Sequence, residues 1–216
     1  MKEFIHQPIS ALTHLLSAVV LVFVAWRMLQ KAGPHKAQRF GITVFFCSAF
    51  FLLTMSGIYH ACAPGLARDI FRRLDYTGIF IMIAGTFTVV QIMLFRGWWR
   101  WGLTAFVWVT AIVGAIYVTY YFDEMTLMPK LAILLGQGWV SGLAVLKAFT
   151  MYPLSQLKYG VIGGLVYTAG TWFLATDQPV IADGWFEGHE VWHLFVIAGM
   201  AFHIKFVWDR LNVKPV

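Results

Sequence analysis

Charged residues are scarce in this chain of 216 residues. Lys, Arg, Asp and Glu make up 12% of it and hydrophobic residues 60%, whereas a typical soluble domain is about one-quarter charged. The mean hydropathy is +0.72. This composition excludes an ordinary soluble fold and directs attention to the long apolar runs.

Cysteine is almost absent. The two cysteines, Cys47 and Cys62, fall in one apolar run, 15 residues apart, which on a helix is about 22 Å and too far for a disulfide. The start of the chain also lacks the features of a cleavable signal peptide, because Lys2 is its only positive charge and the apolar run that follows is too long. We therefore expect neither a disulfide framework nor a removable leader.

Strand-like alternation of apolar and polar residues is missing as well. Backbone groups in lipid must be hydrogen-bonded within the protein, so helices are the predicted membrane spans. We predict an all-α polytopic membrane protein that forms a single domain over residues 1–216. The seven predicted transmembrane helices cover residues 9–30, 41–62, 75–95, 102–122, 130–150, 159–176 and 189–208.

Basic residues are divided unequally between the two predicted membrane faces. The face with the first, third and fifth loops and the C-terminus holds eleven Lys and Arg residues against a single acid, Asp209, while the other face holds five with the remaining nine acids. The positive-inside rule therefore predicts a cytoplasmic C-terminus and an N-terminus outside. Membrane orientation explains the net charge of +6, so no nucleic-acid partner is expected.

Two histidines stand at the start of the seventh predicted span. His189 and His193 are four residues apart, which places both imidazoles on one helix face, one turn from each other. His60 closes the second span, and the end of an even span lies at the same membrane face as the start of an odd one. Three histidines with an open fourth position are typical of a catalytic zinc site, so we predict that these three bind Zn²⁺.

Two other histidines are unsuited to this site. His35 lies at the opposite membrane face. His203 is 14 residues beyond His189, about 21 Å along the helix. Neither is expected to bind the metal.

Asp75 and Ser56 are the candidate catalytic residues. Asp75 opens the third predicted span at the face of the histidines, where it could cap that helix or pair with Arg72 and Arg73. Beside three imidazoles, it is a candidate for orienting or deprotonating a zinc-bound water. Ser56 precedes His60 by one turn and could hydrogen-bond the water or the substrate, or instead bond back to a helix carbonyl.

Three further polar side chains lie close to this face. His14, near the start of the first span, is expected to be a packing or relay residue. Glu187 and Glu190 flank the histidine pair, and solvated positions at the membrane interface explain both.

The sequence His189-Glu190-x-x-His193 also matches the HExxH helix of zinc proteases, in which the glutamate is the general base. The longer form of that motif requires a third histidine six residues after the second, where Gly199 stands. The Asp-Gly motif that intramembrane proteases of this kind carry downstream of the helix is also missing. The protease is therefore the less favoured interpretation.

Several longer motifs accompany these residues. They are Ser56-x-x-Tyr59-His60, residues 74–80 (LDYTGIF), residues 83–86 (IAGT), residues 167–170 (YTAG) and residues 189–195 (HEVWHLF). Together with seven spans, this set resembles the hemolysin III family, bacterial relatives of the adiponectin and progestin receptors within a wider group that includes the alkaline ceramidases. The likeness covers essentially the entire chain.

The resemblance implies a zinc ion held by His60, His189 and His193, with Ser56 and Asp75 beside it, as in relatives that are suspected lipid-amide hydrolases. For bacterial members it implies an inner-membrane location and a role in membrane lipid or energy homeostasis. The sequence departs from the family pattern in the first span, where Ser10 stands in place of an asparagine. The adiponectin receptors also hold zinc on the cytoplasmic side, whereas the charge distribution places it outside here.

Three functions are open to such a protein. The first hypothesis is a zinc-dependent hydrolase of membrane lipid amides or esters. The second is a lipid or stress sensor in which zinc only joins the helices, and a pore-forming protein comes third because no ring of polar residues runs through all depths. A lipid-sized cavity beside polar groups confined to one face is the feature that distinguishes these hypotheses.

Overall fold

Eight helices form the regular structure of residues 6–215, the part of the chain that the computed structural model describes. They are α1 (Pro8–Lys31), α2 (Lys36–Ala61), α3 (Leu66–Leu94), α4 (Gly97–Tyr120), α5 (Leu127–Ser141), α6 (Leu143–Phe149), α7 (Leu154–Thr176) and α8 (Gly188–Arg210). Between α7 and α8, Ala182 and Phe186 form an isolated antiparallel β-bridge. The predicted all-α class is confirmed.

Six segments among the described residues are long and apolar enough to cross a membrane: α1, α2, α3, α4, α5 together with α6, and α8. α5 and α6 divide the fifth predicted span at Gly142, whose N–H still bonds to the carbonyl oxygens of Gly138 and Trp139. α7 is 23 residues long, but its glycines and threonines lower its hydropathy and it is not one of the six. The membrane-spanning character is therefore confirmed, while the count of seven spans stays a prediction.

Large apolar side chains face outward along these helices. On α1, Leu16, Val19 and Phe23 are 63%, 69% and 60% exposed, and Val113 and Ile116 of α4 are similarly exposed. A soluble protein rarely leaves so extended an apolar surface in water. Lipid acyl chains would cover it, in agreement with an integral membrane protein.

The helices pack mainly against their neighbours in the sequence. α2 lies between α1 and α3, α7 packs along α8, and α8 also contacts α1. The main buried cluster joins α1, α2, α3 and α8, while a smaller cluster lies between α3, α4 and α5. The contact between α2 and α3 is tight, since a Cβ on Gly85 would lie 2.4 Å from Oγ of Ser48.

The start of α3 differs from the prediction. α3 begins at Leu66, so Asp75 lies nine residues inside the helix and cannot cap it. The prediction followed the apolar run alone and left out the charged first turns. Arg72 and Arg73 pair with Asp123, and Arg72 also lies 3.7 Å from Asp69, so they do not pair with Asp75.

Candidate metal centre

Two helix ends bring three histidines together. His60 is the next-to-last residue of α2, and His189 and His193 lie in the first two turns of α8. His60 and His193 are buried and His189 is partly buried. Their ligand nitrogens all lie within 4.8 Å of one another, and no other His, Cys, Asp or Glu of the described chain joins this group. The histidines predicted from sequence as ligands are thus next to each other in the fold.

One nitrogen–nitrogen distance in the group suits a tetrahedral metal ion. Two nitrogens bound to one Zn²⁺ at 2.0–2.1 Å are about 3.4 Å apart at the tetrahedral angle. Nε2 of His60 and Nε2 of His189 are 3.4 Å apart, and the ring centroids of the three histidine pairs are 4.7–5.0 Å apart. Three nitrogen donors without a fourth protein ligand in the group could hold a metal and leave one coordination position open.

Gln7 holds His60 from the side away from this group. Its Oε1 lies 2.6 Å from Nδ1 of His60 and accepts a second hydrogen bond, of 2.9 Å, from Nη2 of Arg68. An amide oxygen only accepts, so Nδ1 carries the proton and Nε2 presents its lone pair to the other histidines. An imidazole that binds a metal through Nε2 requires this tautomer. Gln7 is not among the residues predicted from the sequence, where the signal for it is a polar side chain directly before the first predicted span, at the membrane face of the histidines.

The junction between α7 and α8 positions His189. Its backbone N–H donates to Oδ1 of Asp177 at 3.2 Å, and Asp177 ends α7 in the left-handed conformation with φ of 51°. At Gly188, a Cβ would lie 2.4 Å from the backbone nitrogen of Gln178 and 2.5 Å from the carbonyl oxygen of Phe173. Only glycine fits between the two helix ends, so this residue determines how α8 begins.

Glu190 is buried, and the prediction of a solvated position is wrong for it. Its Oε1 accepts a 2.8 Å hydrogen bond from the hydroxyl of Ser10, and its Oε2 accepts a 3.0 Å bond from the backbone N–H of Glu187 in a capping box. Ser10, the residue that departs from the family pattern, thus joins α1 to α8. Because both carboxylate oxygens are engaged, Glu190 is poorly placed to act as the base of an HExxH protease.

His14 packs against the histidine group. Its ring stacks on that of His193 with centroids 3.9 Å apart and 9° between the planes. Neither ring nitrogen of His14 has a hydrogen-bond partner among the described residues. This stacking is compatible with the packing role expected for His14, and the alternative role as a relay stays a prediction.

Ser56 and Asp75 are joined by a side-chain hydrogen bond between α2 and α3. Ser56 is buried one turn before His60, and Asp75 is partly buried. Neither contributes an atom to the group of three histidines. In this bond the hydroxyl of Ser56 donates across the helix interface to the Asp75 carboxylate.

A cleft of about 470 Å³ opens at this end of the bundle. Its lining includes Gln7, Tyr76, Leu174, Trp185, His189 and Glu190. Its volume is in the range of sites that bind small ligands. A cavity large enough for the reacting part of a lipid thus lies beside one of the three histidines.

The histidines predicted not to bind lie elsewhere. His35 precedes α2, at the opposite end of that helix from His60. His203 stacks on Tyr167 with ring centroids 5.6 Å apart. Cys47 and Cys62 are both free thiols.

The helical fold and the histidine group together indicate the class of protein. It is a polytopic membrane protein in which three histidines lie together where two helices meet at one end of the bundle. The model of the family described as Haemolysin-III related matches residues 3–204. This chain belongs to the haemolysin III-related family.

Three named relatives are similar over most of their length. Hemolysin-3 of Bacillus cereus is 26% identical over 204 residues, covering 93% of this chain and 90% of the relative. The Hemolysin-3 homolog of Bacillus subtilis (strain 168) is 26% identical, with 89% and 88% covered. The Heptahelical transmembrane protein ADIPOR2 of Oryza sativa subsp. japonica is 26% identical, with 83% and 86% covered. This chain is thus similar both to bacterial hemolysin-3 proteins and to a plant protein named as a heptahelical transmembrane protein.

Proposed function

We propose that this protein is a zinc-dependent hydrolase of lipid amides or esters in the bacterial inner membrane, with His60, His189 and His193 as the zinc ligands. The observation that carries the proposal is the group of three histidine nitrogens within 4.8 Å of one another, close to a cleft of about 470 Å³. Structural zinc sites are usually closed by four protein ligands, whereas catalytic sites combine three with an open position.

When bound, zinc supplies a Lewis acid that polarises a lipid carbonyl and makes water more acidic. Asp75 would accept the proton of the attacking water as a general base and return it to the amine or alcohol that leaves when the acyl bond breaks. The hydroxyl of Ser56 donates to the Asp75 carboxylate and keeps it oriented. Gln7 would keep His60 in the tautomer whose Nε2 is free to bind the zinc.

The proposal includes seven spans, with the N-terminus outside. The end of α2 and the start of α8 meet at the histidines. Between them lie α3, α4 and the segment formed by α5 and α6, so a fourth crossing is needed to return the chain to the same face. α7 packs along α8 and is 23 residues long, which suits that crossing.

Two measurements on the purified full chain test the function together. Elemental analysis should find about one zinc per chain, and membranes containing the protein should accumulate the fatty acid released from a lipid amide or ester. Zinc without any turnover would replace the hydrolase with a lipid or stress sensor that uses zinc to join its helices. Absence of zinc would reject both.

A further inference from the structure

A second pocket lies at the end of α8 opposite to the histidines. Its volume is about 280 Å³, and the first turns of α7 and the last turns of α8 form its walls, with Gln156, Tyr159, Phe206 and Arg210 among the lining residues. No step of the proposed hydrolysis uses this pocket. It belongs to the membrane face that holds eleven of the basic residues.

Arg210 is the unusual residue of this pocket. Its side chain is buried, with 5% of the residue exposed, and no carboxylate of residues 6–215 forms an ion pair with it. Nη1 donates to Oε1 of Gln156 at 2.7 Å, and the ring centroid of Tyr152 lies 4.6 Å from Cζ. Nε and Nη2 have no hydrogen-bond partner in the described chain. A buried guanidinium without a counter-ion is costly, so an anionic ligand would stabilise it.

Two lysines add positive charge at the rim. Lys158 and Lys205 place their Nζ atoms 5.0 and 5.1 Å from the ring centroid of Tyr159, which lines the pocket. Asp209 is the acidic residue of the lining, and its carboxylate is paired with Lys205. Three cations therefore face one carboxylate.

We propose that this pocket binds the phosphate group of an anionic phospholipid, with Arg210 as its principal recognition residue. The planar guanidinium matches phosphate with two parallel hydrogen bonds, and basic pockets at the ends of membrane helices are suited to lipid headgroups. Leu154 and Val213, 60% and 42% exposed, provide apolar surface beside the pocket. That surface favours a lipid over free phosphate, which offers the same anionic chemistry.

Native mass spectrometry of the full chain from nanodiscs tests this site, with phosphatidylglycerol compared against phosphatidylcholine. Wild type should retain phosphatidylglycerol preferentially. Arg210→Gln should weaken that binding by about 10- to 100-fold, since it removes charge-assisted hydrogen bonds, and Arg210→Lys should weaken it less. The matched control is Arg27→Gln, which alters an exposed arginine at the same face and should leave the preference unchanged.

Three results would overturn the proposal: no preference for phosphatidylglycerol in wild type, an equal loss in Arg27→Gln, or displacement of the lipid by millimolar inorganic phosphate. The last would make the pocket a free-anion site. If Arg210→Gln does not yield folded protein, the double change Lys158→Gln and Lys205→Gln at exposed rim positions replaces it. That variant should lower the preference several-fold, and an unchanged preference would reject the site.

Discussion

Oε1 of Gln7 lies 2.6 Å from Nδ1 of His60, so a residue just before α1 orients a candidate metal ligand at the end of α2. The backbones of the two residues are also joined, since the N–H of Gln7 donates to the carbonyl oxygen of His60 at 2.9 Å. Gln7 is therefore part of the candidate metal centre, although it lies outside the first helix.

Gln7→Leu should lower zinc affinity by about 10- to 100-fold, the usual cost of removing the hydrogen-bond partner of a metal-binding histidine. Gln7→Glu should retain most of the affinity, because a carboxylate also accepts from Nδ1. Competition with a chromogenic chelator measures both. Gln30→Leu, at an exposed position near the other end of α1, is the control, and an affinity of Gln7→Leu equal to that control would remove the orienting role.

Alanine variants of the three clustered histidines should contain less zinc than alanine variants of the other histidines. His60→Ala, His189→Ala and His193→Ala should each lose most of the zinc, because two remaining imidazoles hold the ion weakly. His35→Ala and His203→Ala should keep it, since neither lies in the group. Elemental analysis of the purified variants decides this. Full zinc retention in His60→Ala would end the three-histidine assignment.

The Asp75→Asn variant distinguishes a catalytic role of Asp75 from a structural one. If Asp75 is the general base, the variant should keep its zinc but lose lipid hydrolysis by roughly 10²–10⁴-fold. A purely structural Asp75 would instead lower the melting temperature and leave turnover close to wild type. Asp69→Asn, an exposed change on the same helix with a side chain 59% exposed, should affect neither property.

Helical character and the grouping of His60, His189 and His193 were predictable from sequence because both follow from spacing. Apolar runs of membrane length define the helices, and span alternation alone places the end of one beside the start of another. The predicted helix bounds are less accurate where a helix begins with charged residues. α3 begins at Leu66 rather than at residue 75, because its charged first turns do not show as an apolar run.

The hydrogen bonds that surround the histidine group were not predictable in the same way. The contacts of Gln7 with His60 and of Ser10 with Glu190 connect residues more than 50 and about 180 positions apart. No periodicity relates such positions, so the contacts depend on how α1 is placed against α2 and α8. Burial of Glu190 follows from the same placement, which explains why a charged residue at a helix start was mistaken for a solvated one.

The eleven basic residues on one predicted face predict the membrane orientation. A reporter that fluoresces only in the cytoplasm should be active when fused to the C-terminus and silent when fused to the N-terminus. A reporter inserted after Asp183, between α7 and α8, should be silent as well, because that loop belongs to the face of the histidines. Activity in the reverse pattern would place the metal centre on the cytoplasmic side.

Gly188→Ala tests whether the junction between α7 and α8 sets the metal centre. The added Cβ would lie 2.4–2.5 Å from backbone atoms of residues 173, 177 and 178, and backbone cannot move aside as a flexible side chain does. The start of α8 should shift, carrying His189 with it, so zinc affinity should fall and stability should drop by about 1–3 kcal/mol, as for other overpacked sites.

Gly164→Ala is the matched control, because a Cβ there meets nothing within 4 Å and alanine favours the helix. Thermal unfolding in detergent and chelator competition measure the two effects on both variants. Equal zinc affinity in Gly188→Ala and Gly164→Ala would show that the histidines assemble without this junction.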